Sequence, residues 1–191
     1  MDKTVDEYIA IAMDNRKDLK VMENYAKVYD YENRKSKMNF LPEIVAFANY
    51  KMNDSTIFGN SGNGFTIGAM LNLNLFSGFG DKNRISETKS SYIAFNHKIM
   101  DKKNEIKTEV KDAYYSIIAS EKKVESNKKA LDAARIALRI TESRFKEGLA
   151  KITDLLDREF DVKNAELGLY NAEYELIESK ARLYKTVGIL N

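Results

Sequence analysis

Apolar residues recur every seven positions through most of this chain. The longest such run lies between Asp81 and about Lys146, where there is neither Pro nor Gly. Its apolar positions step by seven, with one step of four: Ile85, Tyr92, Ile99, Ile106, Val110, Ile117, Val124, Leu131, Leu138 and Phe145. A strict heptad predicts a left-handed coiled-coil seam, and the four-residue step is a stutter that locally unwinds it. The pattern therefore predicts a helix over 81–146, which would be ~100 Å long if uninterrupted.

Two shorter helices are predicted, one before this run and one after it. The first covers 4–40: Thr4 and Glu7 have the spacing of a capping box, and Pro42 ends the helical pattern. The second covers 153–188, with Thr153 or Asp154 expected to cap it. Its heptad rows are Leu155, Val162, Leu169, Leu176, Leu183 and Leu190, beside the small residues Ala165, Ala172, Ser179 and Thr186. The lengths favour one long helix faced by two shorter ones stacked end to end, with an antiparallel turn at Gly148.

Residues 43–79 alternate with a period of two, which predicts a β-hairpin with strands of ~10–11 residues and a loop over 54–63. The apolar positions are Ala46, Ala48, Tyr50 and Met52, then Phe65, Ile67, Ala69, Leu71, Leu73 and Leu75. A two-stranded sheet is marginal in water, and these lengths match tilted transmembrane strands. An open hairpin in lipid leaves edge groups unsatisfied, so several copies would have to close a barrel. The alternative is a small sheet packed on the helices in water.

The amino-acid composition excludes several classes of function. The 191 residues carry 31 Lys and Arg against 29 Asp and Glu, so no basic field favours nucleic acid. The absence of Cys excludes disulfides, thiolate zinc sites and cysteine nucleophiles, and the single His97 is interpreted as a solvated residue. No run reaches the ~18 apolar residues of a spanning helix, and the start shows no signal peptide. We therefore expect no catalysis, no cofactor and no metal site.

The order of elements resembles one repeat of the TolC-type outer membrane efflux proteins. Leu41-Pro42 precedes the first strand, and Leu75-Phe76-Ser77-Gly78 follows the second. The best match is the turn Arg144-Phe145-Lys146-Glu147-Gly148-Leu149 followed by Asp154-Leu155-Leu156-Asp157. In the family, an Arg-aromatic-x-x-Gly turn precedes an Asp-(Leu/Val)-Leu-Asp segment. The resemblance covers nearly the whole chain.

The resemblance implies a mainly α fold with a β-hairpin: long antiparallel coiled-coil helices forming a share of a periplasmic α-barrel, plus two strands of an outer membrane β-barrel. It implies an exit duct for small molecules or proteins in a tripartite efflux pump or type I secretion system. The partners implied are outer membrane lipid, a periplasmic adaptor and an inner-membrane transporter. Family protomers carry two repeats and form trimers. This chain is then half a protomer, for which its Leu-Tyr-x-x-x-Gly ending favours the C-terminal half, or one of six single-repeat subunits. The alternative function is a soluble periplasmic coiled-coil scaffold or adaptor without a barrel.

The resemblance also assigns candidate site residues. Asp154 and Asp157, with Lys151, would lie at the periplasmic aperture, where acidic groups pair with basic ones. Ala150 stands where the family's basic partner would be. The alternative for both aspartates is capping and stabilisation by the helix dipole.

The hairpin tip supplies the second set of candidates. Arg144, Gly148 and Leu149 would form the adaptor-docking surface, although Gly148 alone also suits a positive-φ turn. In the strands, Tyr50, Phe65 and Phe76 are candidate interfacial aromatics of a barrel, or ordinary sheet-packing residues.

Overall fold

The computed structural model describes residues 3–51, 64–75 and 77–190, which form four helices and one two-stranded sheet. The elements in order are α1 (Val5–Asn15), α2 (Lys17–Met38), β1 (Glu43–Lys51), β2 (Gly64–Asn72), α3 (Gly80–Lys146) and α4 (Ile152–Thr186). The predicted loop 54–63, Met52 and Phe76 lie outside the described residues. None of the described helices combines the length and the apolar character needed to cross a membrane. The chain divides into two compact units, one of Val21–Ile99 and one of the residues before and after it.

The heptad seam of α3 is confirmed. From Ile85 to Leu138 every predicted seam position is buried or half-buried, and only the last, Phe145, is exposed. Ile106 and Val110, on either side of the four-residue step, are both 0% exposed. The stutter therefore widens the buried surface of α3 at this level instead of interrupting it.

In the unit that contains both chain ends, α1 and α4 pack on α3. Three contacts show that α4 runs antiparallel to it: Arg135–Glu166 at 3.1 Å, Lys123–Glu175 at 2.6 Å and Ser120–Ser179 at 3.1 Å. Val162, Ala172 and Leu183 of its predicted rows are buried. Helix α1 packs through Ala12 and through Tyr8, whose ring lies 6.2 Å from that of Tyr114.

The first helix differs from its prediction. The capping box is present, since Thr4 N donates to Glu7 Oε2 at 2.6 Å and Glu7 N donates to Thr4 Oγ1 at 3.4 Å. Instead of one helix over 4–40, however, the chain has two, because Arg16 leaves the helical region with ψ 117°. Its side chain is only 16% exposed and donates to Asp18 at 2.7 Å and to Glu109 of α3. These ionic hydrogen bonds compensate for the interruption of the helix.

The end-to-end stacking of helices also differs from the prediction. Gly188, the second residue after α4, has φ +75°, and a Cβ there would lie 3.4 Å from the carbonyl carbon of Asn15. Helices α1 and α4 both run antiparallel to α3, and their C-terminal ends meet at this point. Helix α1 therefore lies beside the last turns of α4 rather than on its end.

In the unit Val21–Ile99, α2 packs on the first five turns of α3. The rings of Tyr29 and Phe95 lie 4.8 Å apart. The buried Asn33 amide donates to Thr88 Oγ1 at 3.0 Å and to the Ile85 carbonyl at 3.1 Å. The buried amide finds its hydrogen-bond acceptors in a single alignment of α2 and α3. It therefore fixes the register of the two helices.

The hairpin has the predicted pairing with shorter strands. Its antiparallel register places Ala46 opposite Ala69, Ala48 opposite Ile67 and Tyr50 opposite Phe65, so the two predicted apolar rows share one face. Each strand has nine residues. The ladder ends at the pair Glu43–Asn72. In this register the next pair would be Pro42 and Leu73, and Pro42 has no N–H to donate to the neighbouring strand.

The Arg16 cluster predicts a specific acid response. The guanidinium beside Asp18 lowers the pKa of that carboxyl from 3.8 to about 2. A lowered pKa contributes stability that is present above 3.8 and is lost as the pH falls through about 2. We expect Arg16→Met to lower the free energy of unfolding by about 1–2 kcal/mol near neutral pH, and to abolish this part of the acid dependence. Urea denaturation followed by circular dichroism across this pH range measures both effects.

The matched control is Arg158→Met. Arg158 and Asp161 form an exposed pair on α4 at 2.8 Å, which should contribute under about 1 kcal/mol. Equal losses in the two variants, or an unchanged acid dependence in Arg16→Met, would contradict the assignment.

Candidate functional site

Helix α3 ends in a regular C-capping geometry at the turn that leads to α4. Gly148 N donates to the Phe145 carbonyl at 3.0 Å, and Leu149 N donates to the Arg144 carbonyl at 2.8 Å. This pair of bonds is a Schellman motif, whose C′ residue needs a left-handed backbone; Gly148 has φ +74°. The structure therefore bears out the turn-forming role of Gly148. It also brings Arg144 and Leu149 together at the tip, where Leu149 is 73% exposed.

Asp154 caps α4, but from a different position than predicted. The N-cap residue is Lys151, and Asp154, three residues on, accepts a hydrogen bond from Lys151 N at 3.1 Å. Thr153 lies inside the first turn and does not cap. A carboxylate in the first turn also interacts favourably with the helix dipole. Asp154 thus has a capping role within the chain, but as the third residue of the helix and not as the predicted N-cap.

The candidate aperture residues do not pair with one another inside the chain. Lys151, Asp154 and Asp157 are all exposed. The contact between Lys151 and Asp154 is made by the backbone N–H, and over the described residues the Lys151 ammonium forms no ion pair with either aspartate. The two carboxylates remain accessible to ions and to groups outside the chain.

The hairpin presents one uncharged apolar face. Tyr50 and Phe65 lie on it as a direct cross-strand pair, so both aromatics face the same side. The other face is mixed: it carries the charged Glu43 and Lys51 and the polar Asn49, Thr66 and Asn72, beside the apolar Val45, Phe47 and Met70. Every residue of both strands except Gly68 is exposed, so the described residues supply no cover for the apolar face. A sheet packed on its own helices, the alternative for a protein in water, is not observed.

A second apolar stripe on α4 was missed by the sequence reasoning. Large apolar side chains follow a heptad on the side opposite the buried seam: Leu156, Phe160, Leu167, Tyr170, Tyr174, Ile177 and Tyr184. Each is 44–69% exposed. At 3.5 residues per turn this stripe is centred about 150° from the buried seam. The signal was present in the spacing of these residues, but the stronger Leu row concealed it.

Helix α2 carries a similar stripe in the other unit. Val21, Tyr25, Val28, Tyr31 and Met38 are all at least half exposed, while Asn33 and Ser36 lie on its buried side. Helices with apolar residues on two faces are typical of assemblies in which each helix packs between two neighbours.

The described residues were also compared with the geometry of a metal site. No cluster of three or more His, Asp or Glu among them could hold a metal ion, and His97 is exposed. The lowered pKa of Glu125, about 2, comes from hydrogen bonds to Lys129 and Lys122 on the surface of α3. Such pairs are ordinary on exposed helices.

Comparison with known proteins gives a consistent picture. The family model described as "Outer membrane efflux protein" matches residues 8–189. The outer membrane protein TolC of Vibrio cholerae is 27% identical over 133 residues, which are 70% of this chain and 30% of that protein.

Solved structures share the fold. The open state of the MtrE outer membrane channel of Neisseria gonorrhoeae has a TM-score of 0.82 at 21% identity, covering 94% of this chain and 41% of that one. The outer membrane protein VceC of Vibrio cholerae has a TM-score of 0.74 at 21% identity, covering 95% and 44%. The chain thus spans less than half the length of these relatives. Together the profile match, the hairpin and the heptad helices show that the chain belongs to the outer membrane efflux protein family.

Proposed function

We propose that this chain is one repeat of an outer membrane channel-tunnel, the exit duct of a tripartite efflux pump or type I secretion system. The observation that carries the proposal is a set of apolar faces that the described residues leave uncovered. They lie on the hairpin, on α4 and on α2. A single chain in water would expose all three, whereas a closed assembly covers them with neighbouring repeats and lipid.

The two-faced helices favour a closed ring. In a ring every helix has a neighbour on both sides. Helix α4 needs two neighbours because it has apolar residues on two opposite faces. Hairpins from six repeats would supply twelve strands, and a closed barrel leaves no unsatisfied edge. Three two-repeat protomers or six single-repeat chains both meet this count.

The hairpin supports a location of the assembly in a membrane. Its uncharged apolar face suits the acyl chains of the outer membrane, and the opposite face, which carries both charged residues of the strands, is the one that would face a water-filled lumen. The heptad helices, which carry most of the charge, would then lie in the periplasm. There the tip formed by Arg144, Gly148 and Leu149 would contact a periplasmic adaptor joined to an inner-membrane transporter, and the cargo would be small molecules or proteins.

The second α4 stripe generates a test of assembly. We expect Tyr174→Lys to lower the association constant of the oligomer at least tenfold, since a charge buried between helices costs more than about 1.4 kcal/mol. Sedimentation velocity in detergent measures the oligomer.

The control for this experiment is Asn171→Lys. Asn171 lies three residues away on the polar face of the same helix, so it adds the same charge without entering the stripe. An oligomer that survives Tyr174→Lys, or that both variants disrupt equally, would argue against the ring.

The aspartates near the tip generate a test of the aperture. Asp154 has a capping role, so its charge must be removed without its hydrogen bond. Asp154→Asn keeps an oxygen that can accept from Lys151 N, and we expect it to raise ion conductance in planar bilayers severalfold. Asp157→Asn should act in the same direction.

Conductance equal to that of the wild type in both aspartate variants would leave only the capping role. Asp161→Asn is the control, because that carboxylate lies two turns along α4 and is already paired with Arg158.

A further inference from the structure

Helix α3 has a second, exposed face on the side away from its seam. In the unit that contains both chain ends, this face begins at Tyr115 and continues toward the tip, with Lys122 and Lys129 as its charged residues. The other side chains on it are small or apolar, and all are exposed: Tyr115, Ala119, Ser126, Ala133, Ile136 and Ile140. At 3.5 residues per turn these positions lie about 150° from the seam row that contains Ile117. We refer to this surface as the outer face of α3.

The outer face of α3 matches the exposed stripe of α4 in side-chain size. The three polar contacts between the two helices fix which of their residues lie at the same level. Counting along both helices from these contacts gives three level-matched pairs, each within about half a turn: Ile140 with Phe160, Ala133 with Leu167, and Ser126 with Tyr174. At two of these levels a large side chain of the stripe corresponds to a small one on the outer face. Within one chain the two surfaces point away from each other, because each lies on the far side of its helix from the seam.

Unpaired charges beside the two surfaces are opposite in sign. Glu159 lies next to the stripe on α4, and Arg139 lies next to the outer face of α3. Both are exposed, and neither belongs to an ion pair in the part of the chain that the structure describes. They lie at nearly the same level, and in an antiparallel contact between stripe and outer face they fall on the same side. A second chain could therefore pair the two charges that a single chain leaves apart.

The middle of the two surfaces has a second charge match. Glu173 is exposed without an ion pair among the described residues, and it is nearly level with Lys129. Lys129 shares Glu125 with another lysine, so this cluster keeps a net positive charge. Asp132 would lie near Glu166, whose charge two basic residues of its own chain already balance.

We propose that the exposed stripe of α4 binds the outer face of α3 on a second copy of this chain, antiparallel and at the same level. The proposal rests on the ring proposed above and specifies the surface that covers the stripe. Rotation about an axis along the helices keeps every residue at its level, so the level-matched pairs become contacts between copies. The contact is head-to-tail and can therefore continue around a ring, whereas a stripe bound to its own copy stops at a dimer.

The absence of Cys from the sequence allows a direct test by disulfide cross-linking. The full chain carrying both Ala133→Cys and Leu167→Cys is oxidised in detergent and analysed on non-reducing gels. A disulfide needs Cα atoms within about 7 Å of each other, which this pair can meet only between copies. We expect a ladder of cross-linked chains that extends beyond the dimer.

The matched control moves one cysteine along the same face. Ala119 is also small and exposed, and it lies about 21 Å from Ala133 along α3. We expect Ala119→Cys combined with Leu167→Cys to give at least tenfold less cross-linked product. Equal yields from the two pairs would show non-specific contact and would overturn the proposal.

Three other outcomes separate this contact from the ring itself. A dimer formed by Leu167→Cys alone would show that two stripes bind each other, and would overturn the head-to-tail contact. Oligomers in sedimentation velocity without cross-linking of Ala133→Cys and Leu167→Cys would overturn the contact and leave a ring with another partner surface. The absence of oligomers would overturn the contact together with the proposed function.

The ion pair has an independent test by charge exchange. Glu159→Arg and Arg139→Glu, taken singly, place like charges at the contact, and we expect each to lower the association constant of the oligomer about fivefold. The variant with both changes restores the attraction and should return the constant to near the wild-type value. Single variants without effect, or a double variant no better than the singles, would overturn the assigned contact.

Discussion

The apolar seam of α3 is the interaction on which the rest of the structure depends. Within the unit Val21–Ile99, α2 packs on the seam, and within the other unit α1 and α4 pack on it. A strict heptad on a straight helix would drift away from its partners, and the four-residue step at Ile106–Val110 corrects the phase. Both residues are fully buried there, at the level where α1 and the end of α4 lie side by side. At this level α3 therefore packs against α1 and α4 at the same time.

Packing on this seam leaves apolar side chains exposed on other faces of the helices. Burying one side of α4 directs Tyr170, Tyr174 and Ile177 outward, and the register of the hairpin directs its whole apolar row to one side. In the proposed assembly, other repeats and lipid would cover these surfaces and stabilise the elements that carry them. This accounts for a sequence that is rich in charge yet carries long exposed apolar stripes.

Most of the fold could be predicted from the sequence, because its strongest signals are local and periodic. The heptads of α3 and α4 and the alternation of the strands each specify an element and a face. The break at Arg16 could not be predicted, since neither Pro nor Gly marks it and its compensation comes from Glu109, 93 residues away. At the tip, Gly148 was predictable from turn chemistry. Asp154 was assigned to a cap correctly, although it acts from the N3 position and not as the N-cap.

The three turns with positive φ explain why Phe79 stands apart. At Gly148 and Gly188 the chain meets the left-handed requirement with glycine, and each glycine completes a helix end at no steric cost. At Phe79 the same requirement is met by a bulky aromatic, and the adjacent Gly78 shows that glycine is compatible with this turn. Local conformation therefore disfavours Phe79, and water disfavours its exposed ring. Phe79 is thus the one position of the described residues where the chain accepts the cost of a left-handed backbone without glycine.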